Sequence, residues 1–227
     1  MKCRKILGML LAVAVIGSAA ALAACGGGGG NGGGGSQTYT LEAEYIDLDN
    51  VSGAGTSIDK SGVDMIYGDG TQAQKDLGWS NGYYVGYTYS VNQPLNFVFE
   101  SDGAATATII LRLGSELGDL NLTPDIYSVK LNGKEIPYTS IYVQGTSGMG
   151  AMAEMKFSDK TVTNSATLKE GKNVISLTVL SNTLNPGSDG AGRTGGPVVD
   201  CIKVQTSANL TWSPKTDNIE RRDNPIG

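Results

Sequence analysis

Short apolar runs alternate with glycine, asparagine, aspartate and serine from residue 37 onward. Within several runs, such as residues 95–100 and 174–179, apolar and polar side chains also alternate singly, which is the period of a strand with one buried face. The pattern predicts strands at residues 39–46, 82–91, 95–100, 105–113, 126–131, 152–157, 173–180 and 198–205. No window has the period of an amphipathic helix, so the pattern indicates an all-β fold.

Turn signals separate the predicted strands. Asn132-Gly133 is the dipeptide most typical of a two-residue hairpin turn, and residues 169–173 form a second reverse turn. Many short strands with glycine-rich turns are typical of a β-sandwich. We therefore expect a β-sandwich, or jelly roll, of two antiparallel sheets over residues 37–207. A polar, loosely ordered tail should follow at residues 208–227, with Trp212 packed back on the sandwich.

The first 24 residues have the pattern of an export signal. Three basic residues within the first five precede an apolar run, residues 6–24, which ends in small residues just before Cys25. This ending resembles the lipobox of bacterial lipoproteins, so we expect cleavage there and lipidation of Cys25. The alternatives are a transmembrane helix and an ordinary signal peptide with an accidental cysteine. The small residues and the lipobox-like ending argue against the transmembrane helix, and the glycine-rich segment that follows Cys25 argues against an accidental cysteine.

Residues 25–36 are predicted to be a tether. They are glycine except for Cys25, Asn31 and Ser36, and such a segment behaves as a flexible coil with a reach of roughly 20 Å. We expect export to the cell envelope and membrane attachment through two or more acyl chains on Cys25.

Composition excludes several classes of function. The net charge is −5 and the longest basic run is Arg221-Arg222, which argues against a nucleic-acid partner. The chain has no histidine, so Ser-His-Asp and Cys-His catalysis and imidazole-ligated metals are excluded. Cys201 would be the only thiol of the processed chain besides Cys25, so we expect no disulfide and a buried Cys201. We expect a monomer.

Three carboxylates form a candidate metal site. Glu42 and Glu44 lie two residues apart in a predicted strand and would share one face. Asp200 lies in the last predicted strand, and first and last strands of a sandwich often pair. Three hard oxygen donors with nearby carbonyls are the ligands that calcium prefers. The alternative is a surface carboxylate pair on an edge strand.

Six segments, in order, resemble carbohydrate-binding modules of families 6 and 35, which are galactose-binding-like β-sandwiches. The segments are LEAEY at 41–45, SNGYYVGY at 80–87, ATIILRLGS at 107–115, YSVKLNGK at 127–134, LKEGKNVISLTV at 168–179 and GGPVVDCIKV at 195–204. The resemblance implies a structural calcium held by Glu42, Glu44 and Asp200, with help from carbonyls of residues 58–62.

The same resemblance implies a saccharide cleft at one end of the sandwich, where sugars stack on aromatic rings and polar groups bind their hydroxyls. The residues implied for this cleft are Trp79, Asn81, Tyr83, Tyr84, Tyr87, Tyr142 and Arg193. One position departs from family 6, because Val198 stands where an asparagine usually binds sugar. Residues 181–197 offer Asn182, Asn185, Asp189 and Arg193 as substitutes. The alternative for each tyrosine is ordinary packing.

These observations predict a non-catalytic module that binds a polysaccharide or oligosaccharide at the cell surface. The alternative is a protein-interaction or assembly module of the envelope, which the loss of asparagine at Val198 favours. A glycoside hydrolase or lyase ranks last, because Glu42 and Glu44 are too close for separate acid and base roles.

Overall fold

The computed structural model describes residues 35–51, 62–68, 77–88, 90–116, 118–147, 154–181 and 196–223. Several sequence predictions fall outside these residues: the export signal, Cys25 with nearly all of the tether, residues 58–61, and Arg193 with the rest of its loop. Those predictions stay predictions.

Antiparallel strands make up most of the described part. The strands are β1 Gln37–Glu42, β2 Ile66–Tyr67, β3 Tyr84–Val85, β4 Pro94–Ser101, β5 Ala105–Gly114, β6 Leu120–Leu122, β7 Tyr127–Leu131, β8 Lys134–Glu135, β9 Ile141–Val143, β10 Ser158–Leu168, β11 Gly171–Val179, β12 Val198–Thr206 and β13 Leu210–Thr211. The helical segments are the 3-10 turns Ala43–Tyr45 and Gly62–Met65 and helix α1 Asp217–Asp223. Within the described ranges, no helix is long and apolar enough to cross a membrane.

The strands form two main sheets. One has the order β10-β5-β12-β3-β2, with β1 also paired to β12. The other has the order β13-β4-β11-β7-β8, and β6 and β9 form a small ribbon of their own. Inward residues of both main sheets, such as Ile109 and Leu111 of β5 and Phe97 of β4, belong to one buried cluster. The predicted β-sandwich of antiparallel sheets is therefore confirmed.

Strict alternation explains why the central strands form where they do. In β4 the buried apolar residues are Leu95, Phe97 and Phe99, and in β11 Ile175 lies directly opposite Phe97. Each fully buried side chain of this kind contributes roughly 1.5–3 kcal/mol through removal of apolar surface from water. The predicted hairpin turn is also present: Asn132 and Gly133 have positive φ and join β7 to β8.

Some predicted strand boundaries are wrong. The first strand ends at Glu42 and not at residue 46. Among the described residues of the predicted run 82–91, only Tyr84–Val85 is a strand. Residues 154–157 are not a strand, whereas Ser158–Leu168 forms β10, which the pattern missed. This strand lies at the edge of its sheet and is mainly polar, with register shifts against β5.

The C-terminal residues, predicted to be loosely ordered, contain regular structure. Leu210–Thr211 pairs with β4 as β13, and Asp217–Asp223 is helical. Trp212 packs against the core, as predicted, with its ring centroid 6.5 Å from that of Tyr45.

Candidate functional site

A buried acid cluster forms where β1, β12 and the segment after residue 77 meet. β1 pairs with β12 so that Glu42 lies opposite Cys201, next to Asp200. The pairing of β12 with β5 passes from Val199 directly to Cys201, which leaves Asp200 as the extra residue of a β-bulge. A bulge changes the direction of a side chain, and here the Asp200 carboxylate is fully buried.

Glu44 reaches this cluster from a turn and not from the strand that the sequence predicted. The strand ends at Glu42, the 3-10 turn Ala43–Tyr45 follows, and Glu44 is fully buried within it. The structure thus brings Glu42, Glu44 and Asp200 together, although Glu42 and Glu44 do not share one strand face.

Ser80 and Asn81 bind the three carboxylates. The Ser80 amide donates to both oxygens of Asp200, at 2.8 and 3.0 Å, and Ser80 Oγ lies 2.5 Å from Glu42 Oε2 and 3.1 Å from Asp200 Oδ2. The Asn81 amide donates to Glu44 Oε1 at 2.9 Å. Asn81, predicted to line the saccharide cleft, therefore lies in the acid cluster, and the role of Ser80 was missed because an isolated serine carries no signal.

The three carboxyl groups of the cluster all have raised pKa values. Burial raises the pKa of Glu44 to about 8, and the Glu42 and Asp200 charges add to the effect. Burial likewise raises the pKa of Asp200 to about 7 and raises that of Glu42. The single Ser80 hydroxyl hydrogen cannot satisfy Glu42 and Asp200 at once, and Glu44 Oε2 is buried without a hydrogen-bond partner.

Arg112 is the cation in direct contact with the cluster. Its Nε lies 3.1 Å from Asp200 Oδ2 and donates to Gly78 O at 3.0 Å, while its Nη1 binds Asp159 at 2.8 Å. Lys203 also binds Asp159, at 2.7 Å. The positive charge of Arg112 is thus shared between Asp200 and the more exposed Asp159.

The donor chemistry of the cluster fits a hard cation such as calcium, since it offers three carboxylates and one buried oxygen without a partner. With the side chains placed as they are, however, no group of three or more His, Cys, Asp or Glu among the described residues could hold a metal ion. Cation binding therefore requires carboxylates to turn away from Ser80 and Asn81.

An aromatic cluster adjoins the acid cluster through the same segment. Trp79, Tyr84 and Phe157 are buried, with centroid distances of 5.0 Å between Trp79 and Tyr84 and 5.4 Å between Tyr84 and Phe157. Val198 packs in the same group. Trp79 and Tyr84 were predicted to line an open cleft, but their rings are covered by one another and by Phe157, so they do not present free faces for stacking.

Tyr67 and Tyr87 continue this cluster toward the surface. Tyr67 lies 5.8 Å from Tyr84 and 5.3 Å from Tyr87, and both Tyr67 and Tyr87 are half-buried. Tyr87 has φ of 51°, a left-handed conformation that is costly for a bulky residue. Glu116 lies nearby, since its Oε1 would be 3.4 Å from a Cβ placed on Gly86. Sequence reasoning missed Tyr67, which follows no recognisable motif.

Tyr142 is the most exposed aromatic residue of the candidate set. Its side chain on β9 is 52% exposed, and its hydroxyl donates to Asp119 at 2.7 Å. The Lys160 ammonium lies 6.0 Å from its ring centroid. The Thr146 hydroxyl donates to Glu116 O at 2.5 Å. Glu116 and Asp119, three residues apart in the chain, thus lie near Gly86 and at Tyr142, respectively.

No protein-family model and no curated protein matches the chain. Solved structures similar to it include a family 35 carbohydrate-binding module from an environmental isolate, with 15% identity, coverage of 77% of this chain and 97% of that chain, and a TM-score of 0.48. A family 35 module from Clostridium thermocellum has 19% identity, coverage of 74% and 97%, and a TM-score of 0.44. The module of Cellvibrio japonicus Abf62 has 13% identity, coverage of 78% and 98%, and a TM-score of 0.46.

Proposed function

We propose that the chain is a non-catalytic carbohydrate-binding module, exported and anchored to the cell envelope through a lipidated Cys25. The saccharide surface comprises Tyr67, Tyr87 and Tyr142, with polar contacts from Glu116 and Asp119. A calcium ion at Glu42, Glu44 and Asp200 stabilises the module.

The observation that carries the saccharide proposal is the conformation of Tyr87. A tyrosine held at φ of 51° and packed at a tilt against Tyr67 is kept in a costly geometry by its surroundings. Such strained residues concentrate at functional sites, and tyrosine rings beside carboxylates are the groups that bind sugar faces and hydroxyls. The exposed ring of Tyr142, held through Asp119, offers a further aromatic face.

The calcium proposal is supported by charge. Glu44 and Asp200 are buried and Glu42 is half-buried, and among the described residues the guanidinium that contacts this cluster, that of Arg112, is shared between Asp200 and Asp159. The Glu44 oxygen without a hydrogen-bond partner could ligate a cation. Glu42, Glu44 and Asp200 would supply the carboxylate oxygens. When bound, calcium would neutralise the cluster and cross-link β1 to β12.

Catalysis by this cluster is not proposed, because Glu44 and Asp200 are fully buried and cannot reach a substrate. The second candidate function is a protein-interaction module. It is favoured by Val198, which packs with Trp79 and Tyr84 in an apolar cluster at the position where the resemblance implies a sugar-binding asparagine.

Thermal melts of the domain comprising residues 36–227 test the proposal, with calcium, after metal removal, and with a glycan panel, because a ligand of the native state raises the melting temperature. We expect a calcium shift that Glu44→Ala abolishes, and a glycan shift that Tyr87→Ala abolishes while Tyr39→Ala, outside this surface, preserves it. A calcium shift without any glycan shift would favour the protein-interaction module. Absence of both would overturn both site assignments.

The anchor is tested separately in cells. Labelling with a radioactive fatty acid should mark the wild-type chain and not Cys25→Ser, which should leave the membrane fraction. Labelling that persists in Cys25→Ser would refute lipidation at this residue.

A further inference from the structure

The C-terminal segment, residues 212–223, binds the turn that carries Glu44. Three successive carbonyl oxygens of this turn accept hydrogen bonds from the segment. The Asn218 amide donates to Glu44 O at 2.9 Å and to Ile46 O at 2.8 Å, and the Lys215 backbone amide donates to Tyr45 O at 2.8 Å. The backbone that follows the Glu44 side chain, from the Glu44 carbonyl to the Ile46 carbonyl, is therefore held by the C-terminal segment.

Asn218 is fully buried, and both amide hydrogens are used in these two bonds. Its Oδ1 is buried without a hydrogen-bond partner. Burying an amide costs free energy unless it is hydrogen-bonded. The bonds to the Glu44 and Ile46 carbonyls therefore offset the cost of burying Asn218. Any apolar residue here would leave the Glu44 and Ile46 carbonyls unsatisfied.

Further contacts extend along the loop after the turn. The Trp212 ring packs on Tyr45. Arg221 Nη1 binds Asp49 at 2.6 Å, and Lys215 binds the same carboxylate. The C-terminal segment thus holds residues 43–49 through apolar, charged and hydrogen-bonded contacts at once.

The segment also contacts the other side of the acid cluster. The Arg222 guanidinium lies 5.5 Å from the ring centroid of Tyr83, within cation–π range. Tyr83 is two residues from Asn81, which binds Glu44. Residues 212–223 therefore span the two segments, 43–49 and 80–83, that supply and bind the Glu44 carboxylate.

The turn determines where Glu44 lies. If β1 continued as a strand, Glu44 would remain in the β1–β12 ladder; the chain instead leaves it after Glu42, and the held carbonyls fix the new direction. We infer that residues 212–223 are a clasp for the acid cluster and that Asn218 is a positioning residue for Glu44, so that docking of the clasp and cation binding at the cluster strengthen each other. This inference rests on the proposed calcium site.

The first test is calcium titration calorimetry of the full chain in mild detergent, comparing wild type, Asn218→Ala and Glu220→Ala. Glu220 is exposed on the same helix and serves as the matched control. We expect Asn218→Ala to bind calcium about tenfold or more weakly, in the usual range of coupling between sites, and Glu220→Ala to bind as wild type does. A purely structural role predicts a lower melting temperature with unchanged calcium affinity, and that result would overturn the inference.

The second test uses the wild-type chain alone, so it does not depend on whether a variant folds. Coupling is reciprocal, so calcium should slow hydrogen exchange at the Lys215 amide and along residues 215–222 of the wild-type chain, as well as in the turn. Protection confined to residues 42–45, 80–81 and 200 would refute the clasp while leaving the calcium site intact. Absence of calcium binding by wild type would instead refute the proposed site, and the clasp proposal with it.

Discussion

The metal-free protein should lose stability as the pH rises from about 5 to about 8, where the folded chain holds a proton that the unfolded chain has released. Burial raises the pKa of Glu44 from 4.5 to about 8. Below pH 4.5 both states are protonated and the stabilisation is complete. It is lost as the pH rises through the folded-state pKa, because ionised Glu44 is then buried beside Glu42 and Asp200.

The size of the effect follows from the shift. One pKa unit corresponds to about 1.4 kcal/mol, so the raised pKa of Glu44 corresponds to a loss on the order of a few kcal/mol across this range. Glu42 and Asp200 also have raised pKa values, but they share the Ser80 hydroxyl and interact with Glu44, so their contributions do not simply add.

Urea unfolding of protein stripped of metal on a chelating resin, followed by tryptophan fluorescence at several pH values, measures the effect. Glu44→Gln keeps the side-chain size and removes the ionisation, so it should flatten the profile and exceed wild type in stability at pH 8. Glu170→Gln, in an exposed turn, should follow wild type. Calcium should restore wild-type stability at pH 8 more than at pH 5. A wild-type profile that is flat or rises over this range would refute the raised pKa of Glu44 in the folded chain.

Three further outcomes are expected. Phe97→Ala should cost about 3–5 kcal/mol in urea unfolding because it leaves a cavity in the core, whereas its exposed neighbour Val98→Ala should change stability by less than about 0.5 kcal/mol; similar losses would contradict the assigned strand face. Arg112→Ala should destabilise metal-free protein more than calcium-loaded protein, because Asp200 loses its contacting cation. Equal losses of melting temperature with and without calcium would show that Arg112 does not compensate the charge of the cation site. Tyr142→Ala should weaken saccharide binding about 5- to 100-fold in calorimetry without changing the circular dichroism spectrum, and unchanged affinity would exclude this ring from the surface.

The sequence predicted the inner strands well because burial on one face imposes alternation there. β4, β5, β11 and β12 agree with the predicted runs to within a few residues. β10 escaped prediction because its central residues are polar and it lies at a sheet edge, where alternation is weak.

The candidate site was less predictable, because distant contacts decide it. The end of β1 at Glu42 is accompanied by hydrogen bonds from Asn218 and Lys215, far away in sequence. The burial of Trp79 and Tyr84 depends on Phe157, and no local pattern distinguishes a covered ring from an exposed one.

Calcium should strengthen saccharide binding, because one short segment joins the acid cluster to the aromatic cluster. Within residues 79–87, Ser80 binds Glu42 and Asp200, and the neighbouring Trp79 packs on Tyr84. Tyr84 in turn contacts Tyr67, which contacts Tyr87. If the carboxylates turn from Ser80 toward a cation, the backbone of residues 79–87, which carries Trp79, Tyr84 and Tyr87, would therefore shift. Calorimetry with one saccharide ligand, with and without calcium, measures this coupling, and typical values correspond to an affinity change of about 5- to 150-fold. Equal saccharide affinity in both conditions would mean that the two clusters act independently, with the cation serving stability alone.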